Sequence, residues 1–190
     1  MKPDYKISAF KDSATWRRWL DENHDKIDGV WLRLYKNASN VPTVTYAEAL
    51  DEALCYGWID GQVKRYDEKS YLQKFTPRRA KSMWSKRNIE HVARLTEQKL
   101  MMPSGMAQVE QAKQDGRWAA AYDKPSEMVV PEDFMAELKQ HPVAEKFFAS
   151  LNKANTYAIA WRLQTAKSEE TRKRRQDKII ALLNSEQRLH

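Results

Sequence analysis

A short block in the middle of the chain contains most of the side chains that could perform chemistry. It begins at Cys55 and ends at Asn88, and cationic side chains alternate there with aromatic rings. Arginine binds phosphate or carboxylate groups through its forked guanidinium, and aromatic rings stack on bases and other planar ligands. The block therefore predicts a cleft for a small anionic ligand or for a segment of a partner protein.

Seven residues of this block form the predicted binding site. They are Trp58, Asp60, Arg65, Phe75, Arg78, Trp84 and Asn88. Only part of the block can converge on one ligand, because neighbouring strand residues such as Lys64 and Arg65 point to opposite faces. The alternative is an ordinary core of aromatic rings surrounded by solvated charges, since aromatic side chains more often pack than bind.

Two residues of the block are candidates for catalysis. Asp60 could act as a general base if it were buried, and it could equally form a turn or pair with Arg65. Cys55 lies near the C-terminal end of a predicted helix, where the helix dipole disfavours a thiolate. A small buried hydrophobic side chain is therefore the favoured interpretation of Cys55. No residue receives a catalytic role from these patterns, and the sequence favours a protein that is not an enzyme.

The sequence contains no recognisable metal or cofactor signature. None of the four histidines pairs with another at a metal-ligand spacing, and the single cysteine allows no intramolecular disulfide. The five glycines form neither a phosphate-binding loop nor a dinucleotide fingerprint. We therefore expect no metal site and no cofactor.

The balance of charges is basic, with a formal net charge of +7. Such an excess favours anionic partners, although a charge of this size also serves solubility. The basic run from Arg172 to Arg175 falls on a predicted helix, which spreads its charges around the axis and favours a solvated face. Nucleic-acid binding therefore stays an alternative to a small anionic ligand.

The hydropathy of the chain also bears on its location. No apolar run approaches the ~20 residues that cross a bilayer. The first residues, Met1 to Lys6, lack the apolar stretch of a secretory signal. We therefore expect no membrane span and a cytoplasmic protein.

The periodicity of the apolar residues predicts an α+β fold. A helix capped by Asp12 or Ser13 precedes a strand from Val30 to Lys36, and Thr45 with Glu48 forms a capping box for a second helix.

Strands over residues 58–66 and 70–75 predict a hairpin, and Ser82 is predicted to cap the helix that follows. The last third contains helical patterns only. We expect a small antiparallel sheet packed on helices over residues 1–124 and an all-helical module over residues 125–190.

Several segments together resemble the bacterial YdeI/OmpD-associated family, and the resemblance covers nearly the whole chain. The segments are Trp16 to Trp19, Gly29 to Leu32, Glu52 to Asp60, Phe75 to Arg78, Trp84-Ser85, Ala160 to Arg162 and Thr171 to Arg175. The resemblance implies a YjbR/CyaY-type α+β domain followed by a helical module. It carries no catalytic residue over to this chain.

The family name links some members to protection against bacteriocins and cationic antimicrobial peptides, together with an outer-membrane porin. This chain shows no export signal, and its positive charge would repel a cationic peptide. The resemblance therefore leads us to expect a non-catalytic binding or stress-response module. A nucleic-acid-binding protein and an enzyme built on Asp60 are the alternatives.

Overall fold

The computed structural model describes residues 5–124, 127–166 and 168–189. The chain divides into two compact units, Met1–Ala120 and Ala121–His190. The boundary predicted between Lys124 and Pro125 adjoins Pro125 and Ser126, which lie outside the described residues.

The first unit is an α+β fold, as predicted, built on a four-stranded sheet. Its strands are β1 (Ile7–Ser8), β2 (Val30–Tyr35), β3 (Trp58–Arg65) and β4 (Ser70–Pro77), and its helices are α1 (Ser13–Asn23), α2 (Tyr46–Cys55), α3 (Lys86–Glu97) and α4 (Pro103–Gln114). A short 3-10 turn occupies Asn37–Ser39. The strand order is β1-β2-β4-β3.

The expectation of a purely antiparallel sheet is wrong at one edge. Strands β2 and β3 pair antiparallel with β4, whereas β1 pairs parallel with β2. A two-residue strand is too short to show a period-two pattern, so periodicity could not reveal it. The edge strand matters for the site because it positions Tyr5, the first described residue, beside the sheet.

The helix starts follow from local side-chain chemistry. Asp12 accepts the Thr15 amide hydrogen at α1, and Thr45 with Glu48 forms the predicted capping box at α2. The predicted cap at Ser82 is wrong, because Ser85 accepts the Asn88 amide hydrogen and α3 begins at Lys86. Ser82 instead accepts a hydrogen bond from the Arg79 amide in a loop.

One face of the sheet carries the hydrophobic core of the first unit. Val30, Leu32 and Leu34 lie on this face, and the pairing of Val30 with Phe75 adds an aromatic ring. Trp16 of α1 packs on that ring with centroids 5.7 Å apart. The buried indole of Trp16 donates to the Ala49 carbonyl at 3.1 Å, so its polar atom is satisfied.

The opposite face of the sheet carries rings and cations instead, and we call it the cationic face. It consists of Tyr5, Trp31, Arg33, Tyr35, Lys64, Tyr66, Leu72 and Lys74. Side chains alternate between the two faces of a strand, so the core residues of β2 and these residues interleave along the chain.

The second unit consists of four helices around its own core, as the periodicity predicts. They are α5 (Glu132–Leu138), α6 (Pro142–Ala149), α7 (Lys153–Gln164) and α8 (Glu169–Asn184). Asn152 and Ser168 cap α7 and α8 through their side chains. Phe134, Leu138 and Leu163 are among the side chains buried between the helices.

Gly105 allows α4 to lie against the C-terminal end of α2. A Cβ atom added at Gly105 would lie 2.2 Å from the carbonyl oxygen of Cys55. That same oxygen accepts a hydrogen bond from the Met102 amide at 3.1 Å. The added Cβ atom would therefore clash with the backbone of α2 and not with a flexible side chain that could move aside.

We expect Gly105→Ala to lower the free energy of unfolding by about 1–3 kcal/mol, because overpacking forces the backbone to shift. Urea unfolding followed by tryptophan fluorescence measures the change. Gly61→Ala is the matched control, since its Cβ would meet only Lys74 at 3.7 Å or beyond. Equal stability of the Gly105→Ala variant and the control would contradict the close packing of α4 on α2.

Candidate functional site

Arg78 follows β4 directly, and contacts of its backbone and of its side chain hold it in place. Its backbone amide donates to the Gly57 carbonyl at 2.9 Å, and its Nη2 donates to the Met83 carbonyl at 2.8 Å. The guanidinium carbon lies 3.7 Å from the centre of the Trp84 ring. Only 6% of Arg78 is exposed, so a permanent positive charge is held nearly rigid at the surface of the core.

The loop between β4 and α3 is packed by further rings and cations. Trp84 contacts Trp118 with ring centroids 4.9 Å apart. Arg117 donates from Nη1 to the Ser82 carbonyl at 2.9 Å. These contacts tie residues 82–84 to the segment that follows α4, so the ring under Arg78 has little freedom to move.

A cavity of about 300 Å³ opens beside Arg78, and we call it the Arg78 cavity. Its lining consists of Tyr5, Asp28, Thr76, Pro77, Arg78 and Arg79. Arg79 is exposed, and its amide donates to the Ser82 side chain at 3.1 Å. The charged residues of this lining are Asp28, Arg78 and Arg79, so cationic residues outnumber acidic ones there.

The predicted site residues do not gather around this cavity. Trp58, Phe75 and Trp84 are each at most 1% exposed, and their rings belong to the packed interior. The Trp58 indole donates to the His24 carbonyl at 3.0 Å, which satisfies its only polar atom. Buried rings cannot stack on a ligand. Of the predicted site residues, Arg78 alone appears in the lining described for this cavity.

The remaining predicted residues lie at three separate places. Arg65 ends β3 and Trp58 begins it, so they stand roughly 20 Å apart at ~3.3 Å per residue. Asn88 lies in the first turn of α3, where its amide is bonded to Ser85. Asp60 lies next to α2 and accepts a hydrogen bond from the Tyr46 hydroxyl at 2.8 Å.

The cavity residues that sequence reasoning missed come from distant parts of the chain. Tyr5 is positioned by the parallel pairing of β1 with β2, including the hydrogen bond from the Trp31 amide to the Lys6 carbonyl. Asp28 belongs to the turn before β2. Arg79 stands next to Arg78 in the basic block and was the one residue that this local pattern could have revealed.

Asp60 is not positioned as an isolated base. Its carboxylate is the acceptor for Tyr46, and burial together with this carboxylate raises the pKa of Tyr46, while Arg87 nearby lowers it. The pair joins the start of α2 to the edge strand β3. This role is structural, and it accounts for the position of Asp60 without a reaction.

We expect Asp60→Asn to lower the pKa of Tyr46, because the mutation removes a negative charge that opposes the phenolate. NMR of 13C-labelled tyrosine at about pH 11 measures this, since wild-type Tyr46 should stay protonated there. Asp67→Asn is the control, because Asp67 lies in the hairpin turn and pairs with Arg33. An unchanged Tyr46 signal in Asp60→Asn would contradict the electrostatic coupling of the pair.

Cys55 is confirmed as a buried residue without features of a nucleophile. It is 1% exposed at the end of α2. Burial raises the pKa of its thiol to about 11, even though the Arg17 guanidinium acts in the opposite direction. At neutral pH the reactive thiolate is therefore scarce.

We expect Cys55 to react with a thiol reagent such as dithionitrobenzoate at least ~100-fold more slowly in the folded protein than in denaturant at pH 8. Burial blocks access, and the raised pKa leaves only about one thiol in a thousand ionised at that pH. Equal rates in the two conditions would contradict the buried position. The rate in the folded protein should increase as the pH approaches 11.

The basic run of the second unit is largely part of its scaffold. Arg172 donates to both carboxylate oxygens of Asp133, with Nη2 2.7 Å from Oδ1, and thereby lowers the pKa of Asp133. Arg175 donates to the Arg162 carbonyl at 2.6 Å near the end of α7. These contacts tie α8 to α5 and α7, so the run serves packing more than ligand binding.

Comparison with known protein families assigns each unit separately. Residues 8–108 match a family described as a domain of unknown function (DUF8412), and residues 127–186 match the family described as Bacteriocin-protection, YdeI or OmpD-Associated. The first match covers more than half of the chain. The chain belongs to the DUF8412 family and carries a YdeI/OmpD-associated domain at residues 127–186.

The resemblance to the YdeI/OmpD-associated family is confirmed for residues 127–186, which lie within the four-helix unit. Its predicted extent over nearly the whole chain is not confirmed, because residues 8–108 match the DUF8412 family instead. The DUF8412 region contains β2, β3 and β4 and the residues of the Arg78 cavity other than Tyr5, and its description assigns no activity. No curated protein and no solved structure matches the chain. The YjbR/CyaY-type likeness of the first unit thus stays a prediction.

The described residues also bear on metal binding and on membrane insertion. Over residues 5–124, 127–166 and 168–189, no three histidine, cysteine or acidic side chains cluster in a way that could hold a metal ion. Within the same ranges, no helix combines the length and the apolar character that crossing a bilayer requires.

Proposed function

We propose that this protein is a binding module whose DUF8412 region holds a small anionic ligand in the Arg78 cavity. The observation that carries the proposal is a cavity of about 300 Å³ whose lining includes Arg78 and the exposed Arg79. Arg78 is held against Trp84 at 3.7 Å, so its permanent positive charge is fixed beside this cavity and attracts an anion.

The shape of the site supports a ligand with a phosphate or carboxylate group. Arg79 is exposed, and the planar fork of an arginine matches two oxygen atoms of such a group, while the nearly buried Arg78 adds a fixed positive charge. Arg79 can reach the group from the solvent side. Thr76 adds a hydroxyl group that can donate a hydrogen bond.

The charge of the chain bears on the description of the matched C-terminal family, which names bacteriocin protection. A protein with a formal net charge of +7 repels cationic peptides and attracts anions. A small anionic ligand therefore accords better with this chain than direct capture of a cationic peptide.

Arg79→Gln tests the proposal, with inorganic pyrophosphate as the probe in isothermal titration calorimetry. Loss of one charge-assisted hydrogen bond should weaken binding about 10- to 100-fold. Arg79 is exposed, so the variant should keep the wild-type unfolding temperature. Arg65→Gln removes the same charge from the far end of β3 and should bind like the wild type.

Asp28→Asn should change the affinity for pyrophosphate in the opposite direction to Arg79→Gln. The carboxylate of Asp28 lines the cavity and opposes an incoming anion, so its removal should tighten pyrophosphate binding. Absence of pyrophosphate binding to the wild type would refute the proposal. An equal loss in Arg79→Gln and Arg65→Gln would also refute it, because the effect would then reflect net charge alone.

A further inference from the structure

The cationic face of the sheet combines rings and positive charges in one plane. The register pairs Trp31 with Lys74, while Arg33 and Lys64 both lie opposite Leu72, so these side chains share one face. Lys64 places its Nζ 4.4 Å from the centre of the Trp31 ring, and Lys74 places its Nζ 4.6 Å from the centre of the Tyr5 ring. Each ammonium group thus lies against the flat side of a ring.

A second cluster on the same face is organised by Arg33. Its guanidinium carbon lies 4.5 Å from the Tyr35 ring and 4.7 Å from the Tyr66 ring. Arg33 also pairs with Asp67 at 2.6 Å, which holds the guanidinium between the two rings. Tyr66 is 47% exposed, so its ring is accessible from solvent.

Lys64 and Lys74 differ from Arg33 because no carboxylate in the described part of the chain pairs with them. Over residues 5–124, 127–166 and 168–189, no carboxylate oxygen lies within ion-pair distance of Lys64 or Lys74. Their contacts are the rings of Tyr5 and Trp31. The face therefore presents two ammonium groups that a phosphate could attract without first breaking an ion pair.

We propose that the cationic face binds single-stranded nucleic acid, with phosphates on Lys64 and Lys74 and bases stacked on the rings. A base gains more by stacking on an aromatic ring than an exposed ammonium gains from its contact with that ring. Each lysine can therefore move from its ring to a phosphate while a base takes its place. Paired bases in a duplex offer no free flat side, so the occupant is single-stranded.

The proposed nucleic-acid surface shares Tyr5 with the lining of the Arg78 cavity, but its cations are Lys64 and Lys74 rather than Arg78 and Arg79. The Tyr66 ring is 47% exposed and offers a flat side to a base, whereas Trp31 is 7% exposed and becomes accessible only when Lys64 moves away from it. A lipid surface would instead require protruding apolar groups. Anionic lipid vesicles are accordingly a competing ligand in the test.

The first experiment measures how salt affects binding of a fluorescein-labelled 12-nucleotide oligo(dT) by fluorescence anisotropy. We expect the logarithm of the binding constant to fall linearly with the logarithm of the salt concentration. The double variant Lys64→Gln/Lys74→Gln should lose about 1.4 from the magnitude of this slope, at ~0.7 per phosphate contact. Lys146→Gln/Lys153→Gln in the second unit removes the same charge and should leave the slope unchanged.

The second experiment separates stacking from charge. Tyr66→Leu keeps the net charge and should weaken oligo(dT) binding about 5- to 100-fold, because each stacked base contributes that much. Its affinity for inorganic polyphosphate, which has no bases, should stay unchanged. Trp161→Leu removes an exposed ring of the second unit and is the matched control.

Three results would overturn the proposal. They are absence of oligo(dT) binding to the wild type at low salt, an equal loss of slope in the two double-lysine variants, and binding of polyphosphate or anionic vesicles as tight as that of oligo(dT). Arg79→Gln should leave oligo(dT) binding unchanged while it weakens pyrophosphate binding. The two sites can therefore fail separately.

Discussion

The antiparallel pairing of β2 with β4 is the constraint on which the rest of the first unit depends. It sets Val30 opposite Phe75 and Trp31 opposite Lys74, so one face of the sheet is apolar and the other combines rings with cations. A slip of one residue would exchange the two faces and bury Lys74 where Phe75 now lies. The cost of burying a charge without a partner makes that slip prohibitive.

The two faces of the sheet place the tryptophan rings in different surroundings. Trp58 and Trp84 fill the interior, and the backbone carbonyl of His24 satisfies the indole of Trp58. Trp31 lies on the opposite face and is covered by the ammonium group of Lys64. Arg78 is nearly buried against Trp84 and is also part of the lining of the Arg78 cavity.

The second unit shows how a basic run can serve structure. Arg172 and Arg175 pair with Asp133 and with the carbonyl of Arg162, so these cations connect helices around the core of the YdeI/OmpD-associated domain. The net charge of the chain therefore overstates the charge that is available to a ligand. Lys64 and Lys74 on the sheet of the first unit contact aromatic rings, and no carboxylate of the described residues pairs with them.

The sequence by itself determined most of the helices and the hairpin, because caps such as Thr45 with Glu48, the period of apolar residues and the turn at Asp67 are local signals. It also identified the YdeI/OmpD-associated likeness of residues 127–186, but not the DUF8412 family of the first unit. It also identified Cys55 as a buried thiol. Only the tertiary structure decided which aromatic rings are buried and which cationic residues line the Arg78 cavity. Tyr5, Asp28 and Arg79 converge through strand pairing between distant segments, and no local pattern of residues encodes that distance.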